Sequence, residues 1–168
     1  MRGAALLLAA AAAACGGDAV DLTGVYRVDS AVESAPCGED RPVARPPAFL
    51  KFSRGDFLGN PFYSYEACTD AAAADCAPIG GLLEGFFEPR DHGWGGYSSY
   101  ASGSDADCQL RIQDKAATLG DGVLVVEEHV YREDHVALPA GGCTPAEAEH
   151  RGDAMPCVAH TRTIATRL

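Results

Sequence analysis

The sequence is poor in positive charge: 13 Lys and Arg stand against 24 Asp and Glu, a net charge of −11 at pH 7. Phosphate recognition needs clustered Lys and Arg, so nucleic acid is excluded as a partner, and attraction to an anionic lipid surface is disfavoured for the same reason. There is no G-x-S-x-G elbow, H-E-x-x-H helix, Walker loop or G-x-G-x-x-G, so the commonest local signatures of catalysis and nucleotide binding are missing. No two cysteines stand two to four residues apart, the spacing that announces a zinc site. No apolar run reaches the roughly 20 residues that a membrane-crossing helix needs. These absences point away from an enzyme and from any cofactor. A Ser/His/Asp group that meets only in the fold, giving a hydrolase, stays open as another class.

What is present begins at the N-terminus. Arg2 is followed by a run of Ala and Leu from Ala4 to Ala14. One positive charge, a short apolar stretch and small residues at its exit make a secretory signal peptide. Ala12, Ala13 and Ala14 then precede Cys15, Gly16 and Gly17. This resembles the lipobox of bacterial lipoproteins, although Ala12 stands where that family usually has Leu. The resemblance implies that the Cys15 thiol carries diacylglycerol and becomes the first residue. Plain cleavage after Ala14 also fits the small residues. The chain then divides into a signal peptide (1–14), a lipidated N-terminus and tether (15–20) and one disulfide-stapled β-rich domain (21–168). Two or more acyl chains hold firmly where one holds marginally. The expected address is outside the cytoplasm, anchored to a bacterial membrane and facing periplasm or cell surface, as a monomer.

The cysteine count agrees. There are seven, an odd number that asks for an explanation in an exported chain. Lipidation of Cys15 leaves Cys37, Cys68, Cys76, Cys108, Cys143 and Cys157, enough for three bridges in an oxidising compartment. Six cysteines allow 15 pairings. Proximity in sequence favours Cys68 with Cys76 and Cys143 with Cys157, leaving Cys37 with Cys108.

The body reads as mainly β, an antiparallel meander or small barrel with one short helix near the C-terminus. Gly24 to Val32 alternates as a half-buried strand, with Tyr26 and Val28 on one face. Strands are also expected at Phe49–Ser53, Phe62–Cys68, Leu82–Glu88, Gly96–Ala101 and Val158–Leu168. Cys108–Ala117 is read as a strand with Leu110 and Ile112 turned inward. Thr69–Asp75 is read as a helical turn, Ala35–Pro47 as a proline-blocked linker and Ser102–Asp107 as a hairpin loop. Gly120-Asp121-Gly122 marks a tight turn into the strand Val123–Arg132. Thr144 as cap, Pro145 at the first position and Glu147 at the third start a helix that Gly152 stops.

Leu22-Thr23-Gly24-Val25-Tyr26 resembles the opening of lipocalin-like barrels, and the chain as a whole resembles uncharacterised cysteine-rich lipoproteins with that opening. The lipocalin resemblance implies a cavity for a small apolar ligand and gives Arg167 the role of a closing arginine packed on Tyr26.

Two groups of side chains are candidates for function. Phe86, Phe87, Trp94, Tyr97 and Tyr100 cluster among glycines, a composition suited to a ligand or partner surface. Glu127 and His129 share a strand face and His135 follows, a conceivable cation site set against the reading of solvated surface charge. The functional expectation is a non-catalytic binding or structural module of the cell envelope. Its partners are the membrane through its anchor, and a small apolar ligand or an envelope protein. A lipocalin-like carrier is the first alternative and an envelope hydrolase the second.

Overall fold

The computed structural model describes residues 20–81 and 84–168. The proposed signal peptide and Cys15 lie outside them, as do Leu82 and Leu83. Among the described residues, ten strands form one antiparallel sheet. They are β1 (Gly24–Ser34), β2 (Arg41–Pro42), β3 (Phe49–Phe57), β4 (Asn60–Cys68), β5 (Cys76–Pro78), β6 (Glu88–Arg90), β7 (Gly93–Ser104), β8 (Asp107–Gly120), β9 (Val123–Val136) and β10 (Cys157–Arg167). The helix α1 (Pro145–Arg151) sits between β9 and β10.

The order across the sheet is β5-β4-β3-β1-β10-β9-β8-β7-β6, with β2 beside β1. First and last long strands are therefore central neighbours, Tyr26 opposite Arg167 and Ser34 opposite His160. The ladder does not close into a barrel. Its two flanks are bridged by the segment before β6, where Phe86 and Tyr63 exchange backbone hydrogen bonds of 2.8 and 2.9 Å. Phe87 N–H then donates to the Gly95 carbonyl at 2.8 Å. A Cβ on Gly96 would run into the Gly85 carbonyl, so this seam needs glycine there.

Local chemistry explains the turns. Asp121 and Gly122 have φ of 51° and 77°, the paired left-handed geometry that Asp-Gly favours in a two-residue hairpin. Leu58 and Gly59 take the same form between β3 and β4, with φ of 54° and 84°. No Asn or Asp marks that turn; the Asp56 carboxylate closes it by accepting the Gly59 N–H at 2.9 Å. The Asp105-Ala106 pair alone turns β7 into β8, so the expected loop at 102–107 is mostly strand. Thr69–Asp75 is not a helical turn but an irregular loop, closed by Thr69 N–H on the Asp75 carbonyl. Ala35–Pro47 is largely irregular as expected, but Arg41 and Pro42 pair with Glu33 and Val32 of β1. Of the strand expected over 82–88, Phe86 makes a single bridge and β6 starts at Glu88.

Burial divides the sheet into two cores. Inside its curl lie Leu22, Tyr26, Phe52, Tyr63, Phe86, Trp94, Ala117 and Leu124. On the outer face Cys108, Leu110 and Ile112 pack with Ala148 and Met155. Leu110 and Ile112 are thus buried, as expected, but away from the main core: α1 covers them from outside. Thr144 caps that helix, its hydroxyl accepting the Glu147 N–H at 3.3 Å, and Gly152 ends it with φ 56°.

The bridges are Cys37–Cys157, Cys68–Cys76 and Cys108–Cys143. Only the Cys68–Cys76 expectation holds. Cys143 and Cys157 do not staple the two ends of α1. Cys37 lies three residues past Ser34, and Cys157 three before its partner His160, so the β1–β10 register delivers them to one another at a Cα separation of 5.5 Å. Cys143 instead ties the start of α1 to β8.

Candidate functional site: a cup above an aromatic floor

The inner face of the sheet changes character along its length. At the end where β1 begins, rings fill it: Tyr26 meets Phe52 edge-on at 5.8 Å, Phe52 lies 5.7 Å from Phe86, and Tyr63 meets Trp94 at 5.0 Å. The segment before β1 seals this end. Trp94 Nε1 donates to the Val20 carbonyl and Tyr26 Oη to the Leu22 carbonyl, both at 2.8 Å, while Tyr63 Oη donates to Asp21 Oδ1 at 2.9 Å. Arg167 lies across the base, its guanidinium carbon 5.6 Å from the Tyr26 ring centroid, and donates to the Thr23 carbonyl.

Beyond the rings, towards the disulfides, the interior opens. A cavity of about 300 Å³ is lined by Val43, Leu50, Tyr65, Ile79, Val126 and Glu128, with Glu33, Thr161 and Thr163 on its wall. Strand alternation places these groups. Val126 and Glu128 share the inner face of β9, and Thr161 and Thr163 pair with Glu128 and Val126 from β10. Glu128 is held by Gln113, whose Nε2 donates to it at 2.7 Å.

Lys115, one of only two lysines in the chain, stands opposite Glu128 in the β8–β9 ladder and is 4% exposed. Its stem runs over Gly96, and its ammonium lies 5.4 Å from the Tyr65 ring centroid and 5.3 Å from that of Phe86. Among the described residues it has neither a hydrogen-bond acceptor nor an ion-pair partner within 4 Å. Burial pulls its pKa below the ordinary lysine value, opposed by the charges of Glu128 and Glu84. Burial, then the same two carboxylates, pushes the Tyr65 phenol well above the ordinary value. A largely buried ammonium with no hydrogen-bond acceptor among the described residues favours an incoming group that accepts hydrogen bonds.

The aromatic cluster expected as a surface is split by the sheet. Phe86 and Trp94 are core residues, and Phe87 stacks on Phe62 at 5.0 Å. Tyr97 and Tyr100 are exposed, but odd and even positions of β7 send them to opposite faces. They form no common surface.

The cation candidates are also separated. Glu127 pairs with Arg162 at 3.1 Å, and His135 with Asp107 at 2.8 Å. His129 stacks on His160 at 4.5 Å, and His160 Nδ1 reaches Asp40 at 3.2 Å. Among the described residues no group of three or more His, Cys, Asp or Glu could hold a metal ion. The hydrogen-bonded partners of histidine found there are carboxylates, Asp40 and Asp107, rather than a hydroxyl or thiol.

The chain matches no known protein family, curated protein or solved structure. Its three bridges belong to an oxidising environment outside the cytoplasm. Among the described residues no helix is long and apolar enough to cross a membrane.

Proposed function

We propose that this chain is an exported, lipid-anchored, non-catalytic binding module of the cell envelope. Its ligand is a small molecule with an apolar body and an end that accepts hydrogen bonds. The carrying observation is the cavity above the aromatic floor, walled by Val43, Leu50, Ile79 and Val126, with Lys115 next to it, over the ring of Tyr65 and opposite Glu128, two of its lining residues. Cavities of a few hundred Å³, mostly apolar with a few polar groups, are what small-ligand sites look like. The sealed base, with Arg167 over Tyr26, supports the lipocalin-like form of this reading, in which one end of the sheet is closed and the other takes the ligand.

Mass spectrometry on protein purified from its native membrane tests both halves. A chain starting at a lipidated Cys15, with six thiols appearing only after reduction, is expected under denaturing conditions. Under native conditions a further bound mass is expected, and it should be lost in Thr163→Phe, which fills the cavity wall. A chain that retains residues 1–14 would overturn the address. A native spectrum without adduct, unchanged by Thr163→Phe, would overturn the ligand and leave an empty scaffold.

A further inference from the structure

The large exposed hydrophobic residues are not scattered. Among the described residues they are Phe57, Leu58, Tyr97, Tyr100, Val123 and Leu168. Four of them lie at one end of the sheet, and the register shows which. Gly24, where β1 begins, pairs with Phe52, and the β3–β4 hairpin runs five residues further to Phe57 before turning at Leu58. Val123 pairs with Thr166 beside the Asp121–Gly122 turn. Leu168 N–H donates to the Val25 carbonyl next to the start of β1. The three disulfides stand at the opposite end, at the close of β4 and the starts of β8 and β10.

Leu58 is the sharpest case. It is 87% exposed and has φ 54°, a left-handed position that favours Gly, Asn or Asp over Leu. The Asp56 carboxylate on Gly59 N–H holds the turn, but the Leu58 side chain stays in solvent. Behind it, Phe57 packs edge-on to Phe87 at 6.3 Å, and Phe87 on Phe62 at 5.0 Å, so the tip is backed by a ridge of rings. The chain reaches this end at Val20, five residues after Cys15, a link that spans at most about 18 Å. At the same end Asp56, Asp91 and Asp121 stand beside Arg54, Arg90 and Arg167, a mixture of signs that suits a zwitterionic surface rather than an anionic one.

We infer that this end is a membrane-contacting surface, with Phe57 and Leu58 seated at the headgroup level of a zwitterionic bilayer and the cup opening away from it. The inference rests on the lipid anchor at Cys15 and adds the orientation that the anchor alone does not set.

Leu58→Trp and Ala72→Trp, at opposite ends of the sheet, test it in the full lipidated protein on phosphatidylcholine vesicles. Trp94, the one native tryptophan, is buried and gives a constant background. Emission of Leu58→Trp is expected to shift to the blue on vesicle addition and to be quenched by lipids brominated on their acyl chains. Ala72→Trp is expected to show neither. Flotation of the vesicles reports the anchor separately. A protein that floats while Leu58→Trp stays unshifted and unquenched overturns the orientation and leaves the anchor standing. Quenching of Ala72→Trp in place of Leu58→Trp reverses the orientation. A protein that does not float overturns the anchor and this inference with it.

Discussion

Lys115 and Glu128 face one another across the β8–β9 ladder, yet their charges do not meet. Glu128 is taken by Gln113 at 2.7 Å, and the lysine is left over the Tyr65 and Phe86 rings. Cation–π contact partly replaces hydration, but it satisfies none of the three N–H donors. The fold therefore holds a largely buried cation over ring faces, away from the carboxylate it faces in the ladder.

Lys115→Met tests that cost. It keeps the length of the side chain and removes the largely buried ammonium, so the urea midpoint should rise, by about 1–3 kcal/mol of stability. A lower midpoint would show that the ammonium has a stabilising partner after all. The pH dependence carries a sign. A lysine with its pKa lowered in the fold is bound to a proton more tightly when unfolded, so stability climbs as pH rises from the folded value towards the unfolded one. The advantage of Lys115→Met over wild type should shrink across that alkaline window.

The bridges should differ in weight. Cys37–Cys157 joins residues 120 apart and Cys68–Cys76 residues 8 apart. Chain entropy assigns roughly 5 kcal/mol to the first loop and about 2.5 kcal/mol to the second. Paired Cys→Ala variants, compared by denaturant unfolding, should show the larger loss for Cys37/Cys157. Equal losses would mean that the β1–β10 ladder already constrains the unfolded chain.

Tyr26→Phe removes one buried hydroxyl, the donor to the Leu22 carbonyl at 2.8 Å. The expected loss is about 1 kcal/mol with the ring core intact. Hydrogen exchange should quicken at Thr23 and Gly24 before it does in β8 or β9. Uniform acceleration would argue that the base is not an independent seal.

Asp105 ties the loop after β9 to the β7–β8 turn. Its carboxylate accepts the Gly141 N–H at 2.7 Å and the Cys143 N–H at 2.9 Å. The Cys143 and then the Gly141 N–H hold its pKa below the usual carboxylate value. Its contribution is present above the unfolded pKa and is lost as pH falls through the folded one. Acid should therefore speed amide exchange at Gly141 and Cys143 in the wild type. In Asp105→Ala that exchange should be fast already at neutral pH, a comparison readable by NMR.

Much of this architecture was legible because single residues carried it. Thr144, Pro145, Glu147 and Gly152 mark α1 without help from the rest of the chain, and Asp121-Gly122 fixes its hairpin. What escaped depends on residues far apart in sequence. Leu110 and Ile112 advertise burial, but not which of two faces covers them, because α1 lies some 35 residues later. Cys143 and Cys157 flank a helix and look like natural partners; the deciding fact is the register of β1 against β10. Phe86, Trp94, Tyr97 and Tyr100 are close in sequence, and alternation sends them to different places. Lys115 and Glu128 could have been found. Lys115 shares parity with Ala117, and Glu128 with Leu124 and Val126, so two charges on an apolar face were the readable sign of the cup.

The pairing of β1 with β10 sets the order in which the molecule can be completed. In a chain delivered N-terminus first, β1 emerges with one flank waiting for the last strand to follow. Cys37 likewise passes Cys68, Cys76, Cys108 and Cys143 before its partner Cys157 exists outside. An oxidant acting on the nearest thiol in turn would trap the wrong pair. The Cys37–Cys157 bridge is therefore completed only after β10 has paired with β1, directly or by exchange from an earlier bridge.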